Sequence, residues 1–128
     1  MKIAIDYFNS NRDYLIYSAE SGTINWTGSD KSGSNMITIK SDSYDPYTEK
    51  PIYFNYMHMA DPGGLKGAGS RVSKGEIIGY VGNKVFDSDP VGYHLHFEVY
   101  ATNNLGTSYG ASRYPGESID PRDFYSNI

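Results

Sequence analysis

The sequence contains no cysteine, and histidine is rare, with three residues in a chain of 128. The absence of cysteine excludes disulfide bonds, thiolate zinc sites and cysteine nucleophiles. No apolar run approaches the length of a membrane span, and the opening MKIAIDYFNSNRDY lacks the apolar core of a signal peptide. We therefore expect no membrane insertion, and a protein working outside a cell would need an export signal elsewhere or another route.

Positive charge is neither abundant nor clustered. The chain has 11 Lys and Arg residues against 15 Asp and Glu residues, a formal net charge of −4. Nucleic-acid binding requires a basic patch, so the sequence predicts no nucleic-acid partner. With 38% hydrophobic and 20% charged residues, the chain is too apolar to be disordered. Its length suits a single domain over residues 1–128.

Short runs rich in Ile, Val, Tyr, Phe and Thr alternate with clusters of Gly, Ser, Asn, Asp and Pro. No window shows a sustained helical period, so we predict a mostly β fold with antiparallel strands and long loops. The predicted strands are residues 2–6, 14–18, 22–26, 35–40, 51–59, 76–81 and 93–100. Residues 101–118 read as a long surface loop, and Asp120 with Pro121 predicts one short C-terminal helical turn.

Two of the three histidines lie one residue apart in the predicted strand VGYHLHFEVY. Side chains alternate along a strand, which divides this stretch into two faces. One face carries His94, His96 and Glu98, and the other carries Leu95, Phe97 and Val99. The second set is apolar and faces the predicted core, so the first faces a groove or solvent. Two imidazoles so placed can bind one metal ion, or one can bind while the other acts on a nearby water molecule.

An isolated His-x-His is more often exposed or hydrogen-bonded without a metal. Two further residues affect how the His94 and His96 pair is interpreted. His58 ends the predicted strand of NYMHMA, and by alternation Tyr56 shares its face. Asp6 ends the opening strand in AIDYF. Each residue alone is typical of a structural role, such as a turn or a cap.

Together these stretches resemble the lysostaphin-like zinc metalloendopeptidases, which cut peptidoglycan cross-links. The resemblance covers residues 2 to 100 and follows the order IDY, YSAESGTI, NMITI, YFNYMHM, VSKGEIIGYVGN and YHLHFEV. Its most specific parts are HLHFEV, the Gly-spaced VSKGEIIGYVGN and the Tyr-x-His of YMH. It implies the fold of that family, a hybrid barrel, and a zinc-dependent endopeptidase that acts on peptidoglycan peptide.

The resemblance also implies a role for four residues. Asp6 and His96 match zinc ligands of the family. His94 and His58 match the two histidines that act on the attacking water and stabilise the attacked carbonyl. Zinc in such a site polarises the carbonyl and lowers the pKa of its water, and a histidine can take or return the proton.

The same family arrangement has loops 41–50, 60–71 and 101–118 flanking the groove. We expect the substrate to contact Tyr44, Tyr47, Tyr56, Tyr93 and Tyr109, although any one of them more often covers the edge of a small β core. The domain is acidic, so charge would not hold it to an anionic wall, and a targeting module or larger assembly is expected. The expected location is extracellular, in the cell envelope or on a virion.

One position departs from the family pattern, which has a histidine ligand four residues before the aspartate in His-x-Gly-x-Asp. Here KIAID has Lys2 at the ligand position and Ala4 at the glycine. A lysine ammonium has no lone pair for a metal and repels a dication. Three explanations stay open: a recruited neighbour such as His94 completes the site, a ligand lies upstream, or the domain is a non-catalytic relative that binds cell wall or a protein partner.

A further alternative comes from the related hybrid-barrel fold of sugar-transport phosphocarrier domains, in which a histidine pair accepts and steadies a phosphoryl group. HLHFE and the spacing of YMH fit the peptidase pattern better. The sequence also marks no docking surface for a phosphocarrier partner, so the peptidase is favoured over this alternative. Because Asp6, His58, His94 and His96 all persist, the metal-site enzyme is favoured over the non-catalytic relative.

The departure at Lys2 generates a prediction about metal affinity. Lys2→His restores the imidazole of the family pattern, so we expect the variant to bind zinc more tightly than the parent chain in a chelator competition. Equal affinities would mean that residue 2 is not near the metal and that the alignment of KIAID is wrong.

Overall fold

The protein is described here from a computed structural model that covers residues 4–8, 15–29, 35–60, 64–82, 94–107 and 118–119, with the backbone alone at 4–8, 94 and 118–119. These residues form nine β-strands. The strands are β1 (Ala4–Phe8), β2 (Leu15–Tyr17), β3 (Gly22–Ser29), β4 (Asn35–Tyr44), β5 (Pro51–Met59), β6 (Arg71–Val72), β7 (Ile77–Tyr80), β8 (His94–Ala101) and β9 (Ser118–Ile119). The predicted helical turn at Asp120 and Pro121 lies outside the described residues.

The strands form one large and one small sheet, and all their described pairings are antiparallel. The seven-stranded sheet has the order β1-β8-β5-β4-β3-β6, and β2 pairs with β7 in the two-stranded sheet. β9 also pairs with β8, at Val99 and Tyr100, beyond the stretch that pairs with β1. The predicted antiparallel β fold is therefore confirmed, and β8 lies between β1 and β5.

One face of the large sheet packs with the small sheet to form the core. The core residues of the large sheet include Ile24, Ile37, Ile39, Ile52, Phe54, Tyr56, Phe97 and Val99, and the small sheet adds Ile16 and Ile78. The rings of Phe54 and Phe97 stack with centroids 5.7 Å apart. Leu95 packs against the same cluster. The predicted apolar face of β8 is therefore the core face, since the apolar side chains that alternate along β8 are buried there.

The opposite face of the sheet is also buried over much of its width, which differs from the sequence-based expectation. Glu98, expected to face a groove or solvent, is 0% exposed. Residues 102–107, expected as exposed loop, include the fully buried Leu105, which clusters with Tyr53 and Tyr100. The Leu105 carbonyl accepts a hydrogen bond from Asn25 Nδ2 at 3.2 Å. The reason is that two tyrosine rings on this face need cover, and this segment provides part of it.

The part of the chain that the structure describes contains no helical segment with the length and hydropathy of a membrane span.

The tight pairing around Gly22 generates a prediction. Gly22 lies between β4 and β6, and a Cβ added there would overlap the Lys40 carbonyl oxygen and lie 2.9 Å from Ser41 Cα. Because these are backbone atoms, the pairing must shift, and we expect Gly22→Ala to lower the free energy of unfolding by about 1–3 kcal/mol in a urea titration. Gly67 is the control, since a Cβ there meets nothing within 4 Å. Equal effects of Gly22→Ala and Gly67→Ala would contradict the strand packing described here.

Candidate active site

The register between β1 and β8 brings two of the predicted site positions together. Asp6 lies directly opposite His96, and Phe8 lies opposite His94. Cross-strand partners share a face of the sheet, with Cα atoms about 4.5–5.5 Å apart. Positions 6 and 96 are therefore neighbours on one face, although ninety residues of chain separate them. Only the backbone of Asp6 and of His94 is described.

β5 brings His58 to the same place through a β-bulge. Met57 pairs with His96 across β5 and β8. On its other edge β5 pairs with β4, where Met36 lies opposite Met57 and Asn35 lies opposite Met59. One step on β4 thus spans two steps on β5, and His58 is the extra residue. Its φ of 63° lies in the left-handed region.

The bulge turns the His58 side chain to the face that carries His96. The two imidazole rings lie 5.3 Å apart at 65°. Simple alternation would instead put His58 with Tyr56 on the core face, where Met59 lies buried. Tyr56 and His58 were expected to share a face, but in the structure they lie on opposite faces. The reason is that one inserted residue reverses the alternation beyond it.

The neighbouring chain holds the unusual backbone of His58. Gly82 N–H donates to the His58 carbonyl at 2.8 Å, and Ala60 N–H donates to the Tyr80 carbonyl at 2.9 Å. A Cβ at Gly82 would lie 2.7 Å from the His58 carbonyl oxygen, so glycine is required for this approach. On the other side, Asn35 Nδ2 donates to the Met59 carbonyl at 3.2 Å. Gly82 is the last glycine of the VSKGEIIGYVGN motif, and this close approach explains why glycine stands there.

His96 is held by a carboxylate. Its Nε2 lies 2.9 Å from Glu98 Oε2, and the side chains are 17% and 0% exposed, respectively. With Nε2 engaged, Nδ1 is the nitrogen that would bind a metal. An imidazole whose second nitrogen contacts a carboxylate is typical of metal-ligating histidine, so the His96 imidazole suits zinc. Within the described side chains, no three His, Cys, Asp or Glu residues group closely enough to hold a metal.

Alternation along β8 puts Glu98 on the face of His96, but the sequence alone assigns no role to Glu98. The available signal is the i, i+2 spacing of an acid and an imidazole on one strand. The burial of Glu98 is not visible in the sequence, because it depends on neighbouring strands and on the segment after β8.

The predicted substrate-binding tyrosines do not all lie near these histidines. Tyr44 pairs with Pro51 at the far end of β5 from His58. Pro51 and His58 are seven residue steps apart along β5, a distance of about 23 Å. Tyr44 is 62% and Tyr47 93% exposed, in and after β4 at that distant end. Loop 41–50 therefore lies far from His58, because the hairpin that contains it is at the opposite end of β5.

Tyr56 is a core residue in this structure. Its ring centroid lies 5.1 Å from that of Phe97, and its hydroxyl accepts a hydrogen bond from Ala19 N–H at 2.9 Å. Burial raises the pKa of the Tyr56 hydroxyl well above its ordinary value, so it stays protonated. Lys2, Tyr93 and Tyr109 lie outside the described residues.

The left-handed backbone of His58 generates a prediction about stability. Both His58→Gly and His58→Ala remove the imidazole, but only alanine keeps a Cβ that disfavours this φ. We therefore expect His58→Gly to unfold with a free energy about 1 kcal/mol higher than His58→Ala in matched urea titrations. If His58→Ala proved as stable as His58→Gly, residue 58 would not occupy the left-handed region.

Comparisons with known proteins bear on the family and the fold. The family model of Peptidase family M23 matches residues 2–108, most of the chain. Three solved structures are similar over nearly the whole chain. The catalytic domain of the antimicrobial peptidase lysostaphin from Staphylococcus simulans is 23% identical, with a TM-score of 0.72 over 99% of this chain and 80% of that one. LytU is 23% identical, with a TM-score of 0.69 over 96% of this chain and 71% of that one.

The third structure is an alanine-to-histidine mutant of the catalytic domain of EnpA, a prophage-encoded M23 protein from Enterococcus faecalis. It is 22% identical, with a TM-score of 0.63 over 92% of this chain and 74% of that one. At these identities the structural likeness establishes the fold, and the family match establishes the relationship. The resemblance seen in the sequence is thus confirmed: the chain belongs to peptidase family M23 and has the fold of lysostaphin-like catalytic domains.

Proposed function

We propose that this chain is a zinc-dependent endopeptidase that cleaves peptide cross-links of bacterial peptidoglycan. The observation that carries the proposal is the meeting of three elements on one face of the large sheet. β1 brings position 6 opposite His96, and the bulge in β5 turns His58 against the His96 ring. Membership of a peptidase family and likeness to the antimicrobial peptidase lysostaphin support peptide-bond cleavage in the cell wall.

In this proposal Asp6 and His96 hold the zinc ion, and His94 is available from the same strand. When bound, zinc supplies a Lewis acid that polarises the scissile carbonyl. His58 is only 8% exposed and lies 5.3 Å from His96 between ring centroids. Its imidazole can accept a proton from an attacking water or donate a hydrogen bond to the carbonyl oxygen, since the intrinsic pKa of a histidine side chain lies near neutral pH.

The proposed substrate is a peptide strand of the wall that reaches this face near His96, whose side chain is 17% exposed while Glu98 further along β8 is buried. In this proposal the substrate therefore approaches from the His96 end of β8. Substrate contacts of Tyr93 and Tyr109 stay a prediction. The proposed location is outside the cell, in the envelope or on a virion. Because the net charge is −4, retention on an anionic wall would depend on a further module or assembly.

A second candidate function is a non-catalytic M23 domain that binds cell wall or an activating protein partner. The observation that favours it is Lys2, which occupies the position of the first family ligand. With Asp6 and His96 as the only protein ligands, zinc would be held more weakly than by three. Metal content and wall digestion separate the two functions.

The test uses the full chain purified without chelator. We expect close to one zinc per chain by elemental analysis and release of new amino termini from purified cell walls, abolished by a chelator and restored by zinc. His58→Ala should lower the turnover rate by about 10²–10⁴-fold, since it removes a proton-transfer group. Lys74→Ala, at a side chain 69% exposed, is the control and should leave turnover unchanged.

Two results would contradict the proposal. A zinc-free protein that binds walls without digesting them would favour the non-catalytic domain. Stoichiometric zinc without release of amino termini would leave a structural metal and no peptidase.

A further inference from the structure

The face of β8 that carries His96 also carries a fully buried carboxylate, and polar side chains surround that carboxylate. Glu98 is 0% exposed. A buried charge is costly unless donors surround it. Besides His96, Tyr100 OH donates to Glu98 Oε1 at 3.0 Å, and Asn55 Nδ2 donates to the same oxygen at 3.3 Å. Among the described residues, Glu98 therefore makes hydrogen bonds to three side chains, one of which is the proposed zinc ligand.

Polar side chains form a hydrogen-bonded row across three strands of the sheet. Their contacts determine which group donates in each hydrogen bond to Glu98. Thr38, Asn55 and Glu98 are cross-strand partners on β4, β5 and β8. Thr38 Oγ1 donates to Asn55 Oδ1 at 2.7 Å, which turns the Asn55 amide nitrogen toward Glu98. Burial, and then the adjacent Glu98 charge, raise the pKa of the Tyr100 hydroxyl, so it remains a donor. Both neighbours thus donate to Oε1, while Oε2 contacts His96.

We propose that Glu98 is a positioning residue for His96, a role that rests on the proposed zinc site. Glu98 Oε2 accepts the Nε2–H of the imidazole, which selects the tautomer whose Nδ1 carries the lone pair. The Thr38, Asn55 and Tyr100 side chains hold the carboxylate in the orientation that does this. Glu98 also adds negative charge beside the site, which favours a bound dication.

A purely structural role for Glu98 would be to fill the polar row between β5 and β8. Replacing the carboxylate by its amide separates the two roles, because shape and volume are kept. Asn55 and Tyr100 both donate to Oε1, so the amide oxygen of Glu98→Gln takes that place and its NH₂ faces His96. An NH₂ can only donate, so Nε2 must accept and the imidazole proton moves to Nδ1.

The experiment measures the tautomer first, in the metal-free full chain. Long-range ¹H–¹⁵N NMR on ¹⁵N-histidine protein, at an alkaline pH that keeps the imidazole neutral, should show the Nε2–H form of His96 in the parent chain. It should show the Nδ1–H form in Glu98→Gln. Loss of the His96 signals in His96→Gln identifies them. Because no zinc is present, this readout does not depend on activity.

The second measurement is zinc affinity by competition with a chromophoric chelator. We expect Glu98→Gln to bind zinc about 10–100-fold more weakly than the parent chain. Tyr100→Phe is the matched control, since it removes one donor to Glu98 but keeps the carboxylate. It should cost stability, keep the Nε2–H tautomer and change zinc affinity by less than Glu98→Gln does.

The same tautomer in the parent chain and Glu98→Gln would overturn the positioning role, as would equal zinc affinities of these two proteins. Equal losses of affinity in Tyr100→Phe and Glu98→Gln would reduce Glu98 to a structural residue. A parent chain that binds no zinc at all would instead defeat the proposed function, and the tautomer comparison would still decide the role of Glu98.

Discussion

The pairing of β8 with β1 on one edge and with β5 on the other is the constraint from which the candidate site follows. A register shift of one residue would exchange the two faces of β8. Phe97 and Val99 would then leave the core, and burial of each such side chain is worth about 1.5–3 kcal/mol. The apolar face of β8 thereby holds the register that puts His96 opposite position 6. Packing on one side of the sheet positions the chemistry on the other.

Two features of the site oppose local stability, and each is offset by neighbouring groups. His58 has a left-handed backbone, which the Gly82 amide and the Asn35 side chain support from two sides. Glu98 is a buried carboxylate, and donors from two strands surround it. Strain and buried charge that persist in this way are concentrated at functional sites. Here both lie beside His96, which links the fold of β5 and β8 to the proposed metal centre.

Much of the fold was predictable because its signals are local. The bounds predicted for β5, residues 51–59, match the structure, since turn residues delimit a run rich in aliphatic and aromatic residues. The alternation that assigned Phe97 and Val99 to the core also holds. The bulge was not predictable, because φ at His58 depends on how Gly82 and Asn35 contact β5, and these residues come from other parts of the chain. The distance of Tyr44 from His58 was not predictable either, because it depends on strand length and on the pairing of β4 with β5.

By itself, the sequence determined the strand-rich architecture, the absence of thiol chemistry and the family to which the chain belongs. These depend on residue types and on the spacing and order of motifs along the chain. Only the tertiary structure decided that His58 faces His96, that Glu98 is buried with Asn55 and Tyr100 as donors, and that Tyr56 belongs to the core. Each of these depends on which strands become neighbours and in which register, and that arrangement is selected by burial across the whole sheet rather than by any one stretch of residues.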